Sequence, residues 1–150
     1  LDSDNDRLSD WAEFHIQNSN LNAKVVTLQE VYNEFSNGHA DITAIRNFMK
    51  YLYKNASSEE SKIKYLLLFG DGNYDPKKRI SNETYFIPSY QSENSISPTA
   101  SYISDDYFGM LDDENGISSS SSTVDIGIGR FPARNTTDAS GFVNKIKHYD

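Results

Sequence analysis

A chain of 150 residues with 37% hydrophobic and 13% aromatic side chains can bury one core without metal or disulfide staples, so a single domain is expected. The 22 acidic and 14 basic residues leave a formal charge of -8, which repels a phosphate backbone and sets nucleic acid aside as a partner. The absence of cysteine removes disulfides, thiolate metal ligands and a cysteine nucleophile, and no apolar run approaches the ~20 residues of a membrane span. The acidic opening from Leu1 to Asp10 is unlike a signal peptide, so the segment reads as soluble with its true N-terminus elsewhere.

Leu8, Trp11, Ala12 and His15 recur at helical spacing behind Asp4 and Asp6, which favour a helix N-terminus. Lys24 to Leu28 is a β-branched run that predicts a strand, and Leu28, Val31, Tyr32 and Phe35 predict a short helix ending near Gly38. Asp41 is placed to cap a stronger helix whose apolar face is Ile42, Ile45, Phe48, Met49 and Leu52, closing near Lys54 and Asn55.

Lys64 to Phe69 is a continuous apolar run stopped by Gly70, the pattern of a strand covered on both faces. Asp71 to Pro98 reads as a long excursion with a short extended piece at Tyr85 to Ile87. Ala100 to Ser104 and Tyr107 to Leu111 are expected to be extended, Asp112 to Gly116 to turn, and Ser118 to Ser122 to form a mobile tip. Val124, Ile126 and Ile128 alternate with polar residues and glycine, a strand signal. A last helix, capped by Asn135 or Thr136, carries Ala139, Phe142, Val143, Ile146 and Tyr149 on one stripe. Strands alternating with helices predict a three-layer α/β/α, Rossmann-like fold with a mostly parallel sheet.

Open parallel sheets bind ligands beyond the carboxyl ends of their strands, where Asp71, Asp105, Asp106 and Arg130 fall. One reading is a loose calcium site that draws on Asp71, Asp75, Asp105 and Asp106, with Asp112 and Asp113 in reserve. The plainer reading is that the aspartates cap loops and that Arg130 neutralises them. No cofactor is required, and calcium is the one candidate ion.

Gly70-Asp71-Gly72-Asn73-Tyr74-Asp75 is locally similar to the magnesium-holding element of haloacid-dehalogenase-type phosphatases, but no nucleophilic aspartate pair follows an earlier apolar strand. The alternate spacing of Asp71, Asn73 and Asp75 opens like an EF-hand, yet Pro76 and Asn82 occupy the places of its glycine and glutamate. His15, His39 and His148 are far apart and have no thiol to act with. The triplets at Asn55, Asn82 and Asn135 match glycosylation sites, a pattern too common to weigh.

Four ordered blocks taken together are more specific. YLLLFGDGNYD from Tyr65, IPSYQSENS from Ile87, SYISDDYFGMLDDENG from Ser101 and DIGIGRFPARNTTDASGFVNKIKHYD from Asp125 resemble the first half of the gingipain-type cysteine peptidase domain. They most resemble its variant in the sortase-like protease of type IX secretion in Bacteroidetes. That variant has a GDG strand exit, a "YESENS"-like loop, an "SDDxFGxLD" segment and a "DIGxGRxP" strand.

The resemblance implies a caspase-like pair of α/β subdomains, of which the second carries a histidine in a Gly-His-Gly setting and a later cysteine. Neither block is found here, so it carries no catalytic residue onto this chain, which corresponds to the supporting first subdomain. Its implied partners are the second, catalytic subdomain of the same polypeptide and the protein substrates of the parent. The implied location is secreted, or the cell surface or outer membrane of a Gram-negative bacterium. Two other readings compete: a metal-dependent phosphohydrolase using Asp71 and Asp75, and a non-enzymatic docking module presenting Tyr85, Tyr90 and Tyr107.

Overall fold

The computed structural model describes residues 9, 12–18, 21–72, 86–92, 99–112 and 123–149. In chain order they form helical residues 12–18 (α1), Leu28–Phe35 (α2), Ile42–Lys54 (α3), Tyr65–Phe69 (β1), Tyr90–Gln91 (β2) and Ile103–Ser104 (β3). A 3-10 turn over Asp106–Gly109, strand Gly127–Phe131 (β4) and helix Thr136–Tyr149 (α4) follow. The expectations at Leu8, Trp11, Asp75, Tyr85, Asp113 and Ser118 to Ser122 lie outside the described residues.

The two central helices begin where side chains can satisfy their first N–H groups. Thr27 and Glu30 form a capping box in which the Thr27 hydroxyl accepts from the Glu30 N–H while the Glu30 carboxylate accepts from the Thr27 N–H at 2.8 Å. That arrangement overrides the strand expected over Lys24 to Leu28: residues 21–27 carry no regular secondary structure, and Leu28 starts a helix. The helix ends as predicted, with Asn37 and Gly38 both at positive φ and the Gly38 N–H returning to the Tyr32 carbonyl at 2.8 Å. Burial raises the pKa of the Tyr32 phenol, with the nearby Asp41 charge adding to the effect. Asp41 caps α3 through a 2.8 Å bond from the Thr43 N–H, and α3 closes at Asn55, both as expected.

β1 and β4 pair in parallel, Tyr65 opposite Gly127 through Phe69 opposite Phe131. Side chains alternate across a sheet, so Leu66, Leu68 and Ile128 share one face. That face is covered by Val31 and Tyr32 of α2, Ala44, Ile45 and Met49 of α3, and Tyr107 and Phe108 of the 3-10 turn. On the opposite face Phe69 meets Phe131 edge to face at 5.6 Å, and Phe131 stacks on Phe142 of α4 at 5.2 Å. Phe14 of α1 lies 6.0 Å from the Lys147 ammonium of α4, which puts α1 beside α4. The sheet is thus packed by helices on both sides, the α/β layering predicted from the alternation of elements.

Several details differ from the expectations. β1 is not covered along its whole length, because Tyr65 at its start is 64% exposed. The strand expected at Val124 to Ile128 runs instead from Gly127 to Phe131. Asp125 is diverted, with its N–H bonded to the Gly109 carbonyl and its carboxylate accepting the Leu111 N–H at 2.8 Å, so the ladder starts where the Gly127 N–H reaches the Lys64 carbonyl.

Tyr107 to Leu111 is not extended. Asp106–Gly109 winds into a 3-10 turn whose entry is closed by the Phe108 N–H to the Asp105 carbonyl. Tyr107 and Tyr90 are correspondingly withdrawn from a docking role: Tyr107 is buried and stacks on Tyr90 at 4.6 Å, 16° from parallel. Within Ala100 to Ser104, expected to be extended, Ile103–Ser104 is a strand, and it pairs antiparallel with a strand not foreseen in the long excursion, Tyr90–Gln91.

Candidate functional site

The carboxyl end of the sheet is where the loops converge. There β1 continues into Gly70 and Asp71, whose N–H groups reach the carbonyls of Phe131 and Ala133 beyond β4. On its other side Asp71 bridges in parallel to Phe86, and its carbonyl accepts the Ile87 N–H at 2.9 Å. At this end β1 is flanked on both sides, and the segment from Phe86 to Ser89 is brought beside the mouth of the sheet.

Arg130, the fourth residue of β4, gathers these parts. Its Nε and Nη2 donate to the two carboxylate oxygens of Asp105 at 2.7 Å each, the two-point geometry that makes arginine–carboxylate pairs strong. Nη1 donates to the carbonyls of Gly70 and Ile87, both at 2.9 Å. Nη2 also reaches the Ser89 hydroxyl at 3.1 Å and the Pro88 carbonyl at 3.4 Å. All five guanidinium donors are therefore committed, to three stretches of chain 25 to 60 residues away in sequence. The pair is mostly screened from solvent, with side-chain exposures of 14% for Arg130 and 24% for Asp105.

A second arginine anchors the 3-10 turn from below. Arg46 lies on the core face of α3 and is buried. Its Nε donates to the Met110 carbonyl at 2.7 Å, its Nη2 to the Asp112 carbonyl at 3.1 Å, and its guanidinium carbon sits 5.5 Å from the Tyr107 ring centre. The segment Asp105–Asp112 is consequently gripped by Arg130 at its start and by Arg46 at its end.

The aspartates singled out from the sequence have different fates. Asp105 has both oxygens in the Arg130 fork, as the neutralising reading anticipated. Asp71 turns Oδ1 onto the N–H of Gly72 at 2.8 Å, a loop-fixing bond. Asp106 is exposed and its N–H is taken by the Ser104 hydroxyl. Asp75 lies outside the described residues, and among those described no group of three or more His, Cys, Asp or Glu comes together as a metal site. His15, His39 and His148 sit on α1, after α2 and in the last turn of α4, and none of them joins the Arg130 cluster.

Two contributors escaped the sequence reading. Arg46 was legible in principle, since it falls four residues after Ile42 on the apolar stripe of α3, where a charge needs buried acceptors. Ser89 carried no such signal. Chemically the cluster is saturated: it fixes backbone and presents no activated nucleophile. No described helix is long and apolar enough to cross a membrane.

Comparison with known proteins gives the cluster a setting. The chain is similar to the crystal structure of dimeric latent PorU from Porphyromonas gingivalis, with 33% sequence identity and a TM-score of 0.75. The match covers 97% of this chain and 14% of that one, so the chain spans about a seventh of the relative's length. No curated protein sequence matches. The profile of peptidase family C25 matches residues 3–150, a span that takes in β1 to β4, the Asp71 to Pro98 excursion and the Arg130 cluster. The chain belongs to peptidase family C25, the gingipain family.

Proposed function

We propose that this chain is the first, non-catalytic α/β subdomain of a cysteine endopeptidase, a scaffold that packs beside a second subdomain bearing the histidine and cysteine of the reaction. The observation that carries this reading is a family match over residues 3–150 in a sequence with no cysteine. A thiolate is the attacking group of a cysteine peptidase, so this segment holds a peptidase fold without the peptidase nucleophile. The saturated Arg130 cluster agrees with a supporting role. The family likeness, together with the likeness to PorU, supports extending the proposal to a sortase-like protease of type IX secretion acting on protein substrates at the surface of a Gram-negative cell.

The test is to purify the natural gene product that contains this chain and assay it on protein and peptide substrates under reducing conditions. Turnover that is abolished by iodoacetamide, and absent from residues 1–150 alone, is the expected result. Hydrolysis by the cysteine-free segment itself, or a full product without thiol-dependent turnover, overturns the reading.

A further inference from the structure

We infer that Arg130 is a positioning residue for one wall of the substrate cleft, acting through the segments Phe86–Ser89 and Asp105–Gly109. This inference rests on the peptidase reading and asks more of it, namely that the carboxyl end of this sheet contributes to substrate binding.

Three observations lead there. First, the two segments that Arg130 holds flank the carboxyl ends of β1 and β4, the side of an open parallel sheet on which ligands lie. Second, neither segment is held in place by regular structure of its own. Phe86 makes an isolated bridge, and Ile87 to Ser89 have no ladder partners; the 3-10 turn is a single turn. The short Tyr90–Ser104 backbone pairing joins them at one end, and Arg130 ties them together at the sheet, bonding to Ile87, Pro88 and Ser89 on one side and Asp105 on the other.

Third, the geometry is overdetermined for a residue that only neutralises charge. A single ion pair to Asp105 would leave donors for water, yet every donor is aimed at protein acceptors, among them the Gly70 carbonyl at the strand exit. A planar fork can tie three segments in one arrangement, whereas an ammonium group is a point charge without that directional reach. The strand pair β2–β3 is continuous with both held segments, β2 following Ser89 and β3 preceding Asp105, so exposed Ile103, and Tyr102 next to it, take their orientation from the same anchor.

The experiment uses the full natural gene product with Arg130→Lys, and with Ser89→Ala and Asp105→Asn as milder changes that keep the arginine. Steady-state kinetics on a peptide substrate are combined with amide hydrogen exchange. The expected outcome for Arg130→Lys is KM raised about tenfold with kcat within about twofold of wild type, the signature of lost binding rather than lost chemistry. Exchange should quicken over residues 86–92 and 103–109 while α3 and β1 stay protected. Ser89→Ala and Asp105→Asn should move KM in the same direction by less.

If Arg130→Lys does not fold, the two milder variants decide the matter by the same KM criterion. Wild-type turnover with KM unchanged in the variants that fold overturns the inference and leaves the peptidase reading standing. A wild-type product without turnover removes that reading, and the inference falls with it.

Discussion

The Nε of Arg46 donates to the carbonyl of Met110 at 2.7 Å, across 64 residues of sequence and inside the core. The bond joins α3 to the strand-free stretch that leaves the 3-10 turn, and Nη2 extends it to the Asp112 carbonyl. Buried carbonyls of an irregular segment have no ladder partners, and here a side chain supplies the donor that secondary structure does not. Removing it strands the buried Met110 acceptor, whereas Asp112 is exposed to solvent. Arg46→Ala is expected to cost about 2–4 kcal/mol, measured as a lowered urea midpoint by circular dichroism. A loss of under ~1 kcal/mol would show that water replaces the guanidinium at this site.

Close approach of the 3-10 turn to β4 is expected to be equally sensitive. A Cβ on Gly109 would stand 2.6 Å from Ile128 Cδ1, 2.9 Å from Val124 Cγ1 and 3.2 Å from the Ile126 carbonyl. The carbonyl is backbone and cannot swing away, so Gly109→Ala should destabilise by about 1–3 kcal/mol through overpacking. Gly141 is the internal control: it lies within α4, and a Cβ there meets nothing within 4 Å. Gly141→Ala should raise stability by roughly 0.5–1 kcal/mol, since alanine is the better helix former. Opposite shifts in melting temperature for the two variants are the readout.

Asp125 offers a third test, because it makes both bonds of a local exchange: its N–H to the Gly109 carbonyl and its carboxylate from the Leu111 N–H. Asp125→Ala keeps the backbone bond and frees the Leu111 N–H, with an expected cost of about 1–2 kcal/mol. The loss should be accompanied by faster amide exchange at Leu111, while Leu68 in β1 keeps its protection. Equal acceleration at both amides would mean that the bond serves global rather than local order.

These residues also mark the limit of what the sequence made legible. The helices were readable because their signals are local: Asp41 two residues before Thr43, and apolar side chains at Ile42, Ile45 and Met49 turning with the helical period. The apolar run ending at Phe69 gave β1 for the same reason. Tyr107 to Leu111 misled because an aromatic and aliphatic run has no period of its own, and what curls it is the fit of Gly109 against Ile128. Val124 to Ile128 alternated correctly but began too early, since nothing in the pattern announces that Asp125 is taken by Gly109 and Leu111. At the site, Arg130 and Asp105 were legible as opposite charges at strand ends. The fork with Ile87, Pro88 and Ser89 was not, because carbonyl acceptors look alike in every sequence.

The capping box of α2 supplies a prediction with a definite sign in pH. The Glu30 carboxylate accepts from the Thr27 N–H at 2.8 Å and from the Thr27 hydroxyl at 2.7 Å, and these bonds hold its pKa below the ordinary value of 4.5, the backbone bond being the larger cause. The group binds its proton less readily when folded than when unfolded. Its contribution to stability is therefore fully present above the unfolded value, and is lost as pH falls from about 4.5 through the lower folded value. Unfolding followed between neutral pH and pH ~3 should show a decline in this window that is smaller in Glu30→Gln, whose side chain does not titrate. At neutral pH, Thr27→Ala removes the hydroxyl cap and should cost about 1 kcal/mol. Identical acid profiles for wild type and Glu30→Gln would mean that the box does not persist in solution.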